Sequence, residues 1–370
     1  MRILHVYKTY YPDTTGGIEL VLMQLTRGLA ALGVESRLLV LSPQACPEVL
    51  DLPYVKVYRY PITAQLASNP MSWAAWRKFG DHLRWADIVH YQFPWPFADL
   101  LHLCKARHKP SVVTYQSDVV RQKRLMTLYR PLQDRFLATV SRVVATSPVY
   151  LESSPVLSGL AHRPAMIPNG LDESCCPKPA PEKLDQWKSL LGTDFFLFVG
   201  VLRYYKGLES LIDAASEVDS LIVIAGAGPE SARLKKRAAD AGLKNVLFLG
   251  HVSEEDKSAL LELALAFVFP SHLRSEAFGM SLIEASMFAK PMISCEIGSG
   301  TSYINLHGTT GLVVPPESPC ELAGAIREMS QDPSMARRMG AAARLRYEQL
   351  FTGTIMASAY KEIYQRLVIQ

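Results

Sequence analysis

Two glutamates eight positions apart, Glu276 and Glu284, lie in PSHLRSEAFGMSLIEASMF (270–288), where residue type and spacing point most directly to chemistry. The strand-like AFVFPS (266–271) leads into a polar loop, and a helix-like segment begins near Phe278 and Gly279. On one unbroken helix, at roughly 100° per residue, the two carboxylates would stand about 80° apart. The pair makes better sense with Glu276 on the loop and Glu284 inside the helix. A loop at the carboxyl edge of a parallel sheet is where α/β proteins usually bind ligands. Two solvated helix-end charges are the plain alternative, so the reading depends on what accompanies them elsewhere in the chain.

Suitable cations occur in Gly200-Val-Leu-Arg203-Tyr-Tyr-Lys206-Gly207, where an apolar strand runs into an Arg and a Lys three residues apart, just before a helix. Arginine grips phosphate oxygens in a bidentate fork and lysine acts as a compact charge, so the two suit a diphosphate. A basic loop on its own is more often solvated surface. Gly16-Gly17-Ile18-Glu19 opens the first helix. Paired glycines let backbone amides approach a ligand and a helix start favours anions, although a tight turn also calls for glycine. The spacing is not GxGxxG, which argues against an NAD enzyme. Gly226-Ala-Gly228-Pro229 has the same ambiguity and reads first as structural.

Polar groups also gather at strand ends: His90 and Gln92 at one, Gln116, Ser117 and Asp118 at another. At a ligand edge they could bind sugar hydroxyls. A histidine in an apolar strand is equally an ordinary core residue, and Asp118 could simply cap a helix. Ile167-Pro168-Asn169-Gly170-Leu171-Asp172 reads as a shaped turn. Between 121 and 135, Arg121, Lys123, Arg124, Arg130 and Arg135 alternate with Leu125, Met126, Leu128, Tyr129 and Leu132. Such a segment can lie on an anionic bilayer or be a plain solvated helix. It lacks the aromatic pattern of base-stacking nucleic-acid modules.

These groups need a scaffold, and 370 residues suffice for two domains of roughly 100 to 200 residues each. With 49% hydrophobic and 20% charged residues the chain has the makings of sizeable cores, and a net charge of +4 does not by itself indicate nucleic acid. Six cysteines without CxxC spacing read as thiols of a reducing cytoplasm. The opening MRILHVYKTYYP is too short an apolar stretch for a signal peptide, and no segment approaches the roughly 20 apolar residues of a membrane span. Strands are expected at 2–7, 36–41, 55–60, 87–93, 111–116 and 142–147, with a helix from Ile18 to about Leu32. A proline-rich connector around 164–183 marks a domain boundary. A second alternation follows, with strands at 195–201, 220–226, 245–250, 266–271 and 291–296 and helices between them. Residues 318–370 read as helical, with breaks near Asp332-Pro333 and Thr352-Gly353. Repeated β-α alternation predicts two doubly wound parallel-sheet domains with a deep cleft between them.

GGIE after the first strand, IPNGLD at the hinge, GVLRYYKG after the first strand of the second half, and the Glu276/Glu284 motif follow in that order. Together they resemble the GT-B retaining glycosyltransferases of the large nucleotide-sugar family, family four, over essentially the whole chain. More narrowly, VYKTYYPDTTGGIE, VVTYQSDVVRQKRL, FPSHLRSEAFG and ISCEIGSGTSYIN resemble bacterial O-antigen mannosyl- and rhamnosyltransferases that use GDP-sugars. The resemblance implies an α/β GT-B fold of two Rossmann-like domains. Residues 1–171 would bind the acceptor, with the helix 353–370 packing back on them, and 172–352 would bind the nucleotide sugar. It implies catalytic roles for Glu276, Arg203 and Lys206, the two cations neutralising the diphosphate leaving group. It implies donor contacts from Gly16, Gly17, Glu284, Phe278, Gly279, Gln116 and Asp118. Retention would proceed on one face, a diphosphate oxygen taking the acceptor's proton, without the carboxylate nucleophile of most retaining glycosidases. No cofactor and no metal is expected, and no clear DxD motif occurs. The implied partners are a nucleotide sugar, GDP-sugar favoured, and a lipid-linked oligosaccharide at the cytoplasmic face of the inner membrane, an anionic surface, with no nucleic acid.

One departure stands out: relatives usually carry histidine where this chain has Gln92 and Gln116. Glutamine donates and accepts hydrogen bonds but takes up no proton at neutral pH. Gln116 is therefore a sugar-site candidate without an acid/base role. A UDP-sugar transferase of the same fold, and a non-catalytic nucleotide-sugar-binding subunit of a polysaccharide assembly complex, are the rival readings. The intact Arg203, Lys206, Glu276 and Glu284 speak against the second.

Overall fold

The computed structural model describes residues 1–14, 16–66, 69–118 and 123–369, with the side chains of 123–126 and 175 outside the description. The chain divides into two compact units, Met1–Gly170 with Gly353–Gln370, and Leu171–Thr352. Leu171 thus goes with the second unit.

In the first unit the strands are β1 (Arg2–Val6), β2 (Glu35–Ser42), β3 (Val49–Leu52), β4 (Val55–Pro61), β5 (Ala64–Leu66), β6 (Asn69–Met71), β7 (Ile88–Phe93), β8 (Ser111–Tyr115), β9 (Arg142–Ala145) and β10 (Ala165–Met166). One sheet runs β10-β9-β8-β7-β1-β2-β4-β3 and is parallel except for β3 against β4, while β5 and β6 form a separate antiparallel pair. Every residue of β7 and β8 is buried, as expected of central parallel strands covered on both faces. The helix Gly17–Ala31 buries Val21, Leu22, Leu25 and Leu29 and ends before Gly33, whose φ of 74° lets the chain turn away. It also packs on the C-terminal helix Gly353–Ile369: a Cβ on Gly28 would lie 2.6 Å from that of Ala357. Lys361 Nζ donates to the Leu32 carbonyl at 2.8 Å.

The second unit holds β11 (Phe196–Val199), β12 (Ile222–Ala225), β13 (Val246–Gly250), β14 (Ala266–Phe269), β15 (Met292–Cys295) and β16 (Gly311–Val314), all parallel in the order β13-β12-β11-β14-β15-β16. This is the doubly wound order, in which the direction of travel reverses between β11 and β14. The equivalent reversal in the first unit falls between β1 and β7. Crevices for ligands open at such switch points, outside the carboxyl ends of the strands.

β3, β5, β6 and β16 lie where the sequence pattern marks no strand. Each has three or four residues, too few for alternation to register. The helix Pro181–Leu191 rises within the proline-rich connector because Pro181 occupies its first turn, where the missing N–H costs nothing. The helix carrying Glu284 spans Met280–Met287, starting just after Gly279. Among the described residues no helix is long and apolar enough to cross a membrane.

Candidate active site

At the switch point of the second unit, β11 delivers residues 200–207 and β14 delivers 270–279, and the two loops bring opposite charges together. Lys206 Nζ lies 2.5 Å from Glu276 Oε2, with the two side chains only 11% and 13% exposed. The ammonium also sits 4.5 Å from the Phe269 ring centroid and 5.5 Å from that of Tyr205, a cation–π setting. The loops are clasped by the backbone bond from His272 N to Tyr205 O, 3.1 Å. Gly207 makes the clasp possible. Its φ is +66°, and a Cβ there would stand 1.9 Å from the Pro270 carbonyl oxygen. Arg203, by contrast, is exposed and has no carboxylate partner among the described residues, lining a pocket of about 230 Å³ with Tyr204, His272 and Glu317.

Glu276 is on a loop and Glu284 within a helix, and each meets a different lysine. Glu284 Oε1 accepts from Lys257 Nζ at 2.7 Å, and the same ammonium pairs with Glu254 at 2.6 Å. Burial penalises this ammonium, but Glu284 and Glu254 outweigh the penalty and raise its pKa above the usual lysine value. Lys257 is a residue that sequence reasoning missed. It sits on the helix Glu254–Leu263, one turn after Glu254 among acidic neighbours, and looks like an ordinary surface pair. The loop itself is braced from the segment after β15. Gly300 N donates to Ala277 O at 2.8 Å, and Arg274 Nη1 to Gly298 O at 2.5 Å. Phe278 is buried and Gly279 has a φ of 99°, so both shape the turn into the helix. Gly226 and Gly228 pack so tightly on residues 200–202 that a Cβ at either would fall within 2.5 Å of a backbone oxygen, a structural use of glycine.

In the first unit, Gly16 is extended, with φ −131° and ψ 177°, and caps the helix Gly17–Ala31. What glycine provides here is room: a Cβ would lie 2.6 Å from a carboxylate oxygen of Glu19. That carboxylate accepts from Thr9 Oγ1 at 2.8 Å and Thr14 Oγ1 at 2.7 Å, placing negative charge in the helix's first turn. Gln116 and Gln92 are bonded to each other, Nε2 of the first donating to Oε1 of the second at 2.8 Å. Asn169, from the turn at the end of this unit, donates to Gln116 Oε1 at 3.3 Å. His90 is wholly buried and belongs to the core. Asp118 lies three residues past the end of β8. Its carboxylate accepts from Tyr115 Oη at 2.9 Å and Ser154 Oγ at 2.7 Å, tying the loop after β8 to the segment around 150–154. Arg121 lies outside the described residues, as do the side chains of Lys123, Arg124, Leu125 and Met126. Leu128 on the helix Lys123–Thr139 is 81% exposed.

In chemical terms, the second unit offers a lysine and an arginine where an anion would meet them, and a glutamate within reach of that lysine. Among the described residues no group of three or more His, Cys, Asp or Glu side chains is placed to hold a metal ion.

Comparison with known proteins gives this geometry a family. Residues 15–174 match Glycosyltransferase Family 4 and residues 180–346 match Glycosyl transferases group 1. The chain is 51% identical to D-rhamnosyltransferase WbpZ of Pseudomonas aeruginosa, over 95% of its own length and 92% of that protein's. It is 44% identical to O-antigen chain mannosyltransferase C of Escherichia coli, over 100% and 99%. Among solved structures, sucrose-phosphate synthase of Thermosynechococcus elongatus superposes with a TM-score of 0.81 at 22% identity, covering 99% of this chain and 98% of that one. Anabaena Alr3699/HepE in complex with UDP-glucose also gives 0.81, at 19% identity over 99% and 100%. These two likenesses carry the fold, two Rossmann-like domains of GT-B type. With both halves matched and whole-length relatives at this identity, the chain belongs to the group 1 (family 4) glycosyltransferases and is a glycosyltransferase.

Proposed function

We propose that this enzyme transfers a hexose, mannose or D-rhamnose, from a GDP-sugar to a lipid-linked glycan in O-antigen or related polysaccharide synthesis, with retention at the anomeric carbon. The observation that carries the sugar and the pathway is whole-length likeness to the D-rhamnosyltransferase and the O-antigen chain mannosyltransferase.

The chemistry rests on Lys206, Arg203 and Glu276. In the ligand-free chain Glu276 neutralises Lys206. A donor diphosphate is the stronger competitor for that lysine, because it adds a second negative group and can engage Arg203 as well. Its arrival takes over the ammonium and releases Glu276 to accept hydrogen bonds from the donor sugar's hydroxyls. As the bond from the anomeric carbon to the phosphate oxygen breaks, negative charge grows on the departing diphosphate, where the two cations lower its energy. The acceptor oxygen bonds to the anomeric carbon on the same face, and its proton passes to a diphosphate oxygen. Glu284, steadied by Lys257, is assigned to the nucleotide ribose. Phe278 and Gly279 shape the donor loop, Gly16 and Gly17 face the phosphates, and Gln116 with Asp118 serves the sugar. The diphosphate is held without metal in this reading. The enzyme works at the cytoplasmic face of the inner membrane, where the basic segment between Arg121 and Arg135 meets anionic lipid.

The test is nucleotide release from GDP-mannose, GDP-D-rhamnose and UDP-glucose with a lipid-linked glycan acceptor, with and without EDTA, followed by analysis of the anomeric configuration. GDP-sugar turnover that survives EDTA and yields the donor's own configuration is expected. Preference for the UDP-sugar, or an inverted product, would overturn the donor or the stereochemical assignment respectively.

A further inference from the structure

Gln116 has little freedom. It follows β8, is 5% exposed, and both ends of its carboxamide are engaged, Nε2 by Gln92 Oε1 at 2.8 Å and Oε1 by Asn169 Nδ2 at 3.3 Å. Gln92 is 1% exposed and is held from behind, its Nε2 lying 3.4 Å from His90 Nε2. His90 is fixed in turn: Nε2 is 2.7 Å from Thr114 Oγ1 and Nδ1 is 2.7 Å from Tyr364 Oη. Thr114 Oγ1 is 2.6 Å from Tyr360 Oη. A column of buried polar groups therefore runs from the C-terminal helix, through β7 and β8, to the carboxyl edge of the sheet. Burial, and secondarily neighbouring His5, keeps the His90 pKa well below its ordinary value, so the ring stays neutral.

A carboxamide has two N–H donors and two acceptor lone pairs. With one of each spent inside the protein, Gln116 retains one N–H and one lone pair. Reversing the sense of every amide in the column would exchange the His90 tautomer and leave the same two functions over. A sugar hydroxyl, itself both donor and acceptor, matches that pair.

We propose that Gln92 and Asn169, backed by His90, are positioning residues that fix the Gln116 amide for recognition of a sugar hydroxyl by one N–H and one lone pair. The proposal rests on the assignment of Gln116 to the sugar site. Its consequence is that the glutamines at 92 and 116 act as one unit, and that nothing at this position takes up a proton during transfer. Changing Gln92 alone strands the Gln116 N–H, and the amide rotates to find another partner.

The test is a double-mutant cycle on kcat/KM with whichever of GDP-mannose or GDP-D-rhamnose the wild-type enzyme turns over. Gln92→Leu keeps bulk but offers Gln116 no acceptor, and is expected to lower kcat/KM about tenfold, the effect of one buried hydrogen bond. In a Gln116→Ala background, Gln92→Leu should cost nothing more, whereas additive losses would overturn the positioning role. Asn169→Ala run through the same cycle provides a second route should Gln92→Leu fold poorly. GDP binding by thermal shift, a property assigned to the other unit, should be unchanged in all of them. Wild-type kcat/KM in Gln116→Ala would instead remove the sugar-site assignment itself, an outcome distinct from additivity.

Discussion

Lys206 and Glu276 are 70 positions apart in the chain, yet each is the other's nearest countercharge. Because the pair is largely closed to water, deleting one member strands the other, and stability as well as chemistry responds. Lys206→Ala and Glu276→Ala are each expected to lower sugar transfer by at least about a hundredfold. Both should remain folded by circular dichroism while melting a few degrees lower, roughly the cost of a partly buried unpaired charge. Turnover near wild type in either variant would discredit the assignment. The residue types at this site were legible in the sequence, since Arg203, Lys206, Glu276 and Glu284 stand out by spacing from strand ends. The partnerships were not. Nothing local distinguishes Lys257 from other helix-surface lysines, and only the fold brings it to Glu284, 27 positions away. The link from Gln116 to Gln92 was equally hidden, because it depends on the register of β7 and β8, which sets Gln92 opposite Thr114, two residues before Gln116.

Glycine sets the shape of the elements around the site. Gly207 combines a left-handed backbone with a contact so close that any side chain would collide with Pro270. Gly207→Ala is therefore expected to separate the loops after β11 and β14, costing roughly 1–3 kcal/mol of stability and loosening the hold on Lys206. The check is chemical denaturation together with GDP binding by thermal shift. Unchanged stability would show that the clasp is not needed. At this scale the long, fully buried strands and the tail helices were readable from hydrophobic runs and from breaks at Asp332-Pro333 and Thr352-Gly353, where helices Pro319–Gln331, Pro333–Leu350 and Gly353–Ile369 are found. Short edge strands were not readable. β16, for example, is recruited by its neighbour: Gly311 lies so close to the Met292 carbonyl that a Cβ would stand 1.9 Å from the oxygen.

The two units of the molecule differ in what they bury. Among the described residues, the buried histidines His5, His82, His90 and His102 all belong to the first unit. Burial lowers His5 to about 3 and both His82 and His102 to about 4, and holds His90 well below normal. The unfolded chain takes up these protons near pH 6.5, so stability is lost as pH falls below that value, by about 1.4 kcal/mol per pH unit for each proton. Asp99 acts in the opposite sense. Burial raises it to about 8, against the bond donated by Tyr129, so its contribution is fully present below the unfolded value near 4 and is lost as pH rises through 8. Four protons against one make the first unit acid-labile. Between pH 7 and 5 its amides should lose hydrogen-exchange protection before those of the second unit, and equal loss in both would refute this. The alternation of strands and helices, the connector near residue 170 and the family are all legible in the amino-acid order, because they follow from periodicity, punctuation and motif order along the chain. Which charges are paired, which histidines are neutral and which glutamine is held by which emerge from the folded chain alone, because each depends on distance and burial between residues far apart in sequence.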